Sequence, residues 1–327
     1  MTSELPPSAA PDSRRFVFRE GALVGEGSAP DVRRGPLAAA DSWLVDAGRV
    51  RAIDLHRERF FGAAAAAGFD DETLLGMFWE AALGAIPPLH RWFPRQLHPR
   101  EPPVQRRDPG SDRAAARGGE QWELALTMRI APPLSGSVVL RTHRGADPRG
   151  IPAWKGPDLD TLASLRSAAR ADGVDDLVLL TTGGEVVEGT ASALLWWRGD
   201  ELRMPPREFE RVDSVTARSV AAVAAAVGVP VREERATPAE LVGTEVWAVN
   251  ALHGIRVVSA WVGDGGGGGT AASAGGDRDP RTGDVRGGGA DGAVAVVAEP
   301  GRAALWQRRL GALARPLPGA ALPPGRS

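Results

Sequence analysis

Apolar residues recur at helical spacing at Leu74, Leu75, Phe78, Trp79, Ala82, Leu83 and Ile86, which predicts a helix that Pro87 and Pro88 end. Asp70 is its expected N-cap, with Asp71 and Glu72 in the first turn. An earlier helix is expected over about 55–67, stopping at Gly68. Upstream, 16–19 has the composition of a strand, and 43–45 leads through Asp46-Ala47-Gly48 into 50–53 as a hairpin with Gly48 in the turn. Residues 88–118 are rich in Pro and Arg and lack any period, so they predict a long surface loop. Strands follow near 122–130 and 137–142. Residues 144–154, polar with two Pro and two Gly, are expected to link two domains.

The second half predicts a helix over 158–171, with Leu159, Leu162 and Leu165 inward and Gly173 at its end. A strand at 176–181 turns at Gly183-Gly184 and returns over 185–187, and a further strand at 193–197 closes in a turn at Arg198-Gly199-Asp200. A helix over 215–227 and a strand at 229–233 precede Thr237-Pro238-Ala239-Glu240, a capping box with Pro at the first helical position. Strands at 245–250 and 256–262 and a helix at 302–312 complete the pattern. The Gly-dominated segment 263–292 is expected to be disordered, as is a tail at 1–14; 313–327 is a tail whose Pro-rich residues 316–327 are expected to fray. Strands and helices that do not alternate regularly predict an α+β fold, divided by the linker into parts over 15–143 and 155–312. No glycine-rich nucleotide fingerprint occurs.

Composition narrows the chemistry. The 327 residues, 43% of them hydrophobic, suffice for two modest cores. A net charge of -2 and a pI near 6.3 provide no attraction for nucleic acid or an acidic membrane. The longest apolar stretch, 220–231, is too short to cross a bilayer, and residues 1–15 contain no apolar signal core, so a cytoplasmic protein is expected. There is no cysteine, which excludes disulfides, thiolate chemistry and Cys-based zinc sites, and no metal is expected.

One count stands out: 38 arginines against a single lysine, Lys155. Ordinary usage would place about fifteen lysines in such a chain. Arginine supplies positive charge everywhere else, but a guanidinium stays protonated and delocalised and cannot form an imine, whereas an amine can. Lys155 is therefore the candidate for chemistry that arginine cannot perform; the alternative is a chance survivor on a solvated loop.

The ordered features after Lys155 carry a resemblance. Lys155-Gly156 leads to Gly173-Val174-Asp175-Asp176-Leu177-Val178-Leu179-Leu180 and then to Gly184-Glu185-Val186-Val187-Glu188-Gly189-Thr190-Ala191-Ser192. This resembles the class IV aminotransferases, the fold-type IV pyridoxal-phosphate enzymes, over about 100 residues, with Lys155 and Glu188 separated by 188 − 155 = 33. The resemblance implies that Lys155 binds pyridoxal 5'-phosphate as a Schiff base and then serves as general base. It implies that Glu188 stands beside the pyridine nitrogen and keeps that ring protonated. It places Ser214-Val215-Thr216, at a helix start, as the phosphate cup. Asn250 becomes a second phosphate contact, and Arg59, from His56-Arg57-Glu58-Arg59, the phosphate's cationic partner, with His56 structural.

There are departures from the family pattern. Ala193 stands where asparagine is usual, Ala217 replaces the usual arginine with Arg218 as a possible substitute, and the chain has no tyrosine. Two activities are left open. One is an amino-acid aminotransferase acting on an amino acid and a 2-oxo acid; the other is a 4-amino-4-deoxychorismate lyase, towards which Leu194-Leu195-Trp196-Trp197 and Asn250-Ala251-Leu252 lean. A non-catalytic cofactor binder is a third. The resemblance also implies a homodimer. Arginines within 91–117 are expected on a solvated loop rather than on substrate.

Overall fold

The structure is a computed structural model that describes residues 13–26, 37–99, 122–262, 294–295 and 301–319. In the first half, β1 (Ser13–Arg19), β2 (Ala22–Glu26) and β3 (Leu37–Ser42) join β7 (Arg95–Pro99) and β8 (Ala125–Arg129) in an antiparallel sheet ordered β2-β1-β8-β7-β3. Between them β4 (Val45–Asp46) and β5 (Arg49–Val50) form the expected hairpin, with Ala47 and Gly48 at φ 48° and 71° as a two-residue turn needs. Two helices, α1 (Ile53–Ala66) and α2 (Glu72–Gly84), bury Phe60, Phe78 and Trp79 against Phe18, Trp43 and Leu126. The N-cap of α2 is Asp71 and not Asp70: the Asp71 carboxylate accepts from the Leu74 N–H at 2.8 Å.

Three expectations need correction here. The stretch 88–118 is not all loop, because β6 (Arg91–Trp92) pairs with β4 and β7 lies inside the five-stranded sheet; residues 100–118 lie outside the described residues. The tail at 313–327 begins ordered, with β18 (Arg315–Pro316) pairing with β5 and Leu317 only 2% exposed. Ser13 and Arg14 already belong to β1, whereas 1–12 and 263–293 lie outside the described residues.

The second half is a nine-stranded mixed sheet. Its path runs β11 (Val186–Gly189), β10 (Asp176–Leu180), β9 (Ser137–Thr142), β16 (Gly254–Val262), β15 (Val246–Asn250), β12 (Ala193–Arg198), β13 (Glu201–Met204) and β14 (Val231–Glu233), with β17 (Val294–Ala295) beside β16. The sheet curls so far that its edges meet: the Val186 N–H, on β11, donates to the Ala236 carbonyl just beyond β14 at 2.8 Å. Alternation along the strands supplies both faces. Leu194, Trp196, Val246 and Ala248 fill the concave core, which the predicted capping-box turn Pro238–Leu241 plugs with Leu241. Leu195, Trp197, Trp247 and Val249 face outward beneath α4 (Val215–Ala226) and α5 (Ala303–Ala312). α3 (Leu159–Arg170) packs on β10 through Ala169 and Leu165 against Leu177. The fold is therefore α+β with a half-barrel, and no described helix is long and apolar enough to cross a membrane.

Candidate active site

Lys155 sits where the two halves touch. Its carbonyl accepts from the Ala40 N–H of β3 at 2.7 Å. At Gly156 a Cβ would stand 2.8 Å from the Ala38 carbonyl oxygen, so only glycine lets the chain press this closely onto β3. The lysine backbone is thus pinned, and its side chain lines a cavity of about 470 Å³. All seven residues singled out from sequence line that cavity: Arg59, Lys155, Glu188, Ser214, Val215, Thr216 and Asn250. A more open groove of about 860 Å³ across residues 212–214 contains neither Lys155 nor Glu188.

The Lys155 amine has no hydrogen-bond partner among the described residues. Burial, reinforced by the Arg59 guanidinium, pushes it down to about 8, against weaker opposition from Asp41. Glu188 is 6% exposed, and burial pushes its carboxyl up to about 7 against the pull of Arg149 and the Val212 N–H. Those two contacts set its orientation. Val212 N–H donates at 3.2 Å, and Arg149, whose side chain is 2% exposed, forms a direct ion pair with Glu188 while gripping Asp147 at 2.6 Å.

The turn after Glu188 explains its sequence. Gly189 has no room for a side chain, since a Cβ would lie 2.6 Å from Ser192 Oγ and 2.8 Å from Asp176 Oδ2. Thr190 and Ser192 hydroxyls donate to the fully buried Asp176 at 2.5 and 2.7 Å. Across the cavity Ser214 caps α4 by accepting from the Ala217 N–H at 3.2 Å. The N–H groups of Val215 and Thr216 then stand in the first turn without intrahelical acceptors.

Arg59 is held before any ligand arrives. Its Nε and Nη2 donate to the two Asp41 oxygens at 2.8 Å each, and Nη1 donates to the Asp213 carbonyl at 2.9 Å. Asp41 is fully buried, and Arg59 and His56 hold its carboxyl well below the usual range despite burial. His56 Nδ1–H donates to Asp41 Oδ1 at 2.8 Å, and burial lowers the imidazole toward the neutral form, so its role is to brace the pair. Asp41→Asn is expected to keep the shape but lose the charge-assisted fork, weakening retention of a phosphorylated ligand by about tenfold. Titration of apoprotein with the cofactor, followed by fluorescence, measures this; unchanged affinity would refute the positioning role.

Other sequence candidates fall differently. Arg218 does not reach the cavity; it pairs with Glu58 and Asp213 at 3.1 Å on the surface and so does not replace the arginine missing at Ala217. Leu194 to Trp197 belong to the two cores and line none of the cavity. Asn250 lines it, but its amide is engaged, donating to the Ala191 carbonyl at 3.2 Å and accepting from the His253 N–H at 2.9 Å. Sequence reasoning missed Arg149, Asp41 and a set of cavity-lining arginines, Arg129, Arg166 and Arg256, and it assigned Arg95 to solvent. In an Arg-biased chain nothing local separates a buried guanidinium from a solvated one. Among the described residues no group of three or more acidic or histidine side chains could hold a metal.

The sequence matches the profile of the amino-transferase class IV family over residues 38–261. The chain belongs to that family. No curated protein matches it. Solved structures that resemble this class IV chain include a hypothetical aminotransferase from Mycobacterium tuberculosis in its PLP-bound form, at 16% identity and TM-score 0.65 over 92% of this chain and 98% of that one. A branched-chain aminotransferase from Thermoproteus uzoniensis resembles it at 18% identity and TM-score 0.66, over 93% and 99%. A putative 4-amino-4-deoxychorismate lyase from Legionella pneumophila does so at 17% and 0.56, over 69% and 83%. At such identities the likeness is one of fold. Family membership makes this an enzyme of the pyridoxal-phosphate-dependent transferase or lyase type.

Proposed function

We propose that this class IV enzyme is an amino-acid aminotransferase that passes the amino group to a 2-oxo acid, with Lys155 as covalent anchor of pyridoxal 5'-phosphate and as proton carrier. The observation that carries the reading is the convergence on one cavity of an unpartnered amine, a buried carboxyl and an open helix start, each set on a different element. These residues fit the group: an aldehyde requires an amine, a pyridine nitrogen a carboxyl, and a phosphate dianion free N–H groups and a cation. When bound, the cofactor supplies an electron sink for the bond that breaks at the substrate α-carbon.

The protein's residues do the rest. Lys155 Nζ, held near 8, is unprotonated in an appreciable fraction at neutral pH and can accept the α-proton. The Glu188 carboxyl, aimed by Arg149 and Val212, would hold a proton for the ring nitrogen of the bound cofactor. Val215 and Thr216 N–H groups, the Ser214 cap and Arg59 would hold the phosphate, and Asn250 shapes the rim with one amide hydrogen to spare. A homodimer and a cytoplasmic location belong to the same reading and are checked by sedimentation and cell fractionation.

Borohydride reduction of the holoprotein should leave a cofactor adduct on the peptide containing Lys155. An adduct elsewhere, or none, refutes the reading. An amino acid alone should yield one 2-oxo acid per site and stop until an acceptor is added. Continuous release of pyruvate from aminodeoxychorismate without acceptor would make the enzyme a lyase instead.

A further inference from the structure

Residues 205–214, between β13 and α4, belong to no helix or strand, yet they carry groups that touch both ends of the proposed cofactor site. The Val212 N–H meets Glu188, the Asp213 carbonyl accepts from Arg59, and Ser214 caps α4. Packing alone does not hold these three residues in place, because they form a partition with space on either side. Val212 and Ser214 line the Lys155 cavity on one face and the groove of about 860 Å³ on the other. Pro205 and Pro206 have no N–H, so the start of the stretch cannot continue the sheet as a donor. An unpaired backbone of this kind opens easily unless side chains hold it.

Arg211 supplies the hold. Its Nη1 donates to the Pro206 carbonyl and, at 3.1 Å, to the Phe209 carbonyl, while its Nη2 donates to the Pro205 carbonyl at 2.8 Å. Among the described residues all its hydrogen bonds go to backbone oxygens of this one turn, and none goes to a carboxylate. A planar guanidinium can meet several carbonyls at fixed angles with little loss of freedom, which a flexible ammonium cannot. On the outside of the turn Phe209 is buried, with the Arg235 guanidinium 4.9 Å from its ring centroid. Arg211 itself does not line the Lys155 cavity. It acts on Glu188 and Arg59 through Val212 and Asp213, which are neighbours in sequence.

We propose that Arg211 is a positioning residue: by closing the turn at 205–209 it sets the Glu188 carboxyl and the Arg59 guanidinium as one unit, so that the ring end and the phosphate end of the site form together. The inference rests on the pyridoxal-phosphate reading for what occupies the site. The competing account is a remote cation that merely draws in the phosphate.

Titrating full-length apoprotein with two fragments separates the ends, since pyridoxal lacks the phosphate and inorganic phosphate lacks the ring. Folded Arg211→Met should bind each about tenfold more weakly than wild type. Arg211→Lys, which restores the charge without the fork, should recover no more than about threefold for either. A loss confined to one fragment, full recovery in Arg211→Lys, or no loss at all overturns the proposal. Hydrogen exchange on wild-type apoprotein needs no variant. The Phe209 and Val212 amides should exchange at least about 30-fold more slowly than in an unstructured peptide before any cofactor is added. Exchange at the unstructured rate overturns the staple even if neither variant folds. If wild-type protein forms no Lys155 adduct and binds no pyridoxal, the cofactor reading fails by itself, and exchange over 207–214 still decides the staple.

Discussion

Lys155→Arg is expected to keep the fold and a positive charge at position 155 and to lower turnover by about 10⁴-fold, because a guanidinium can neither form an imine nor release its proton. Single-turnover kinetics on folded variant protein measures this, and residual turnover within tenfold of wild type would sink the assignment. The same amine leaves a signature in stability. Its pKa in the fold, about 8, lies below its ordinary 10.5, so its favourable contribution is present above 10.5 and is lost as pH falls to 8. At pH 7 the buried ammonium is therefore a burden on the apoprotein. Apo Lys155→Met should be more stable than wild type by about 2 kcal/mol at pH 7, a figure reduced for partial solvent access, and the gap should close as pH rises from about 8 to 10.5. Urea titrations at pH 7 and pH 10 compare the two, and a gap that does not change with pH contradicts the burial argument.

Arg149→Met should cost about 3–5 kcal/mol, because it strands the buried Glu188 carboxylate without its cation. The pH dependence has a definite sign. Glu188 is raised from its ordinary 4.5 to about 7, so its contribution is fully present below 4.5 and is lost as pH rises to 7. Removing Arg149 raises it further, so the deficit of the variant should be small near pH 5 and widen toward pH 8. Asp147 adds little to this, since it is 27% exposed and water can solvate it. The double variant Arg149→Met with Glu188→Met removes both charges and should recover most of the stability while remaining inactive. Urea unfolding of the three variants provides the measurement. A single variant as stable as wild type at pH 8 would show that the pair does not constrain Glu188.

The elements legible in sequence share a property: their signal is local. The period of α2, the turn at Ala47-Gly48, the capping box at Thr237 and the alternation of Leu194 to Trp197 each follow from a few consecutive residues. β7 and β18 were not legible, because strands of five and two residues gain their stability from distant partners, β3 and β8 for the one and β5 for the other. The same division holds in the site. Lys155 stood out because it is the lone amine in a chain of arginines, and Glu188-Gly189-Thr190-Ala191-Ser192 stood out as an ordered set at a defined remove from it.

Sequence by itself determined the chemistry available: one imine-forming side chain, no thiol, no phenol, a carboxyl-bearing turn and a helix start able to hold an anion. Tertiary structure decided which charges act. Asp41 behind Arg59, Arg149 on Glu188, and Arg256 facing the cavity became distinct from many identical side chains only when folding removed water from them. A charge in water is screened and interchangeable, whereas a charge in a dry cavity is governed by its nearest partner, and that partner comes from another part of the chain.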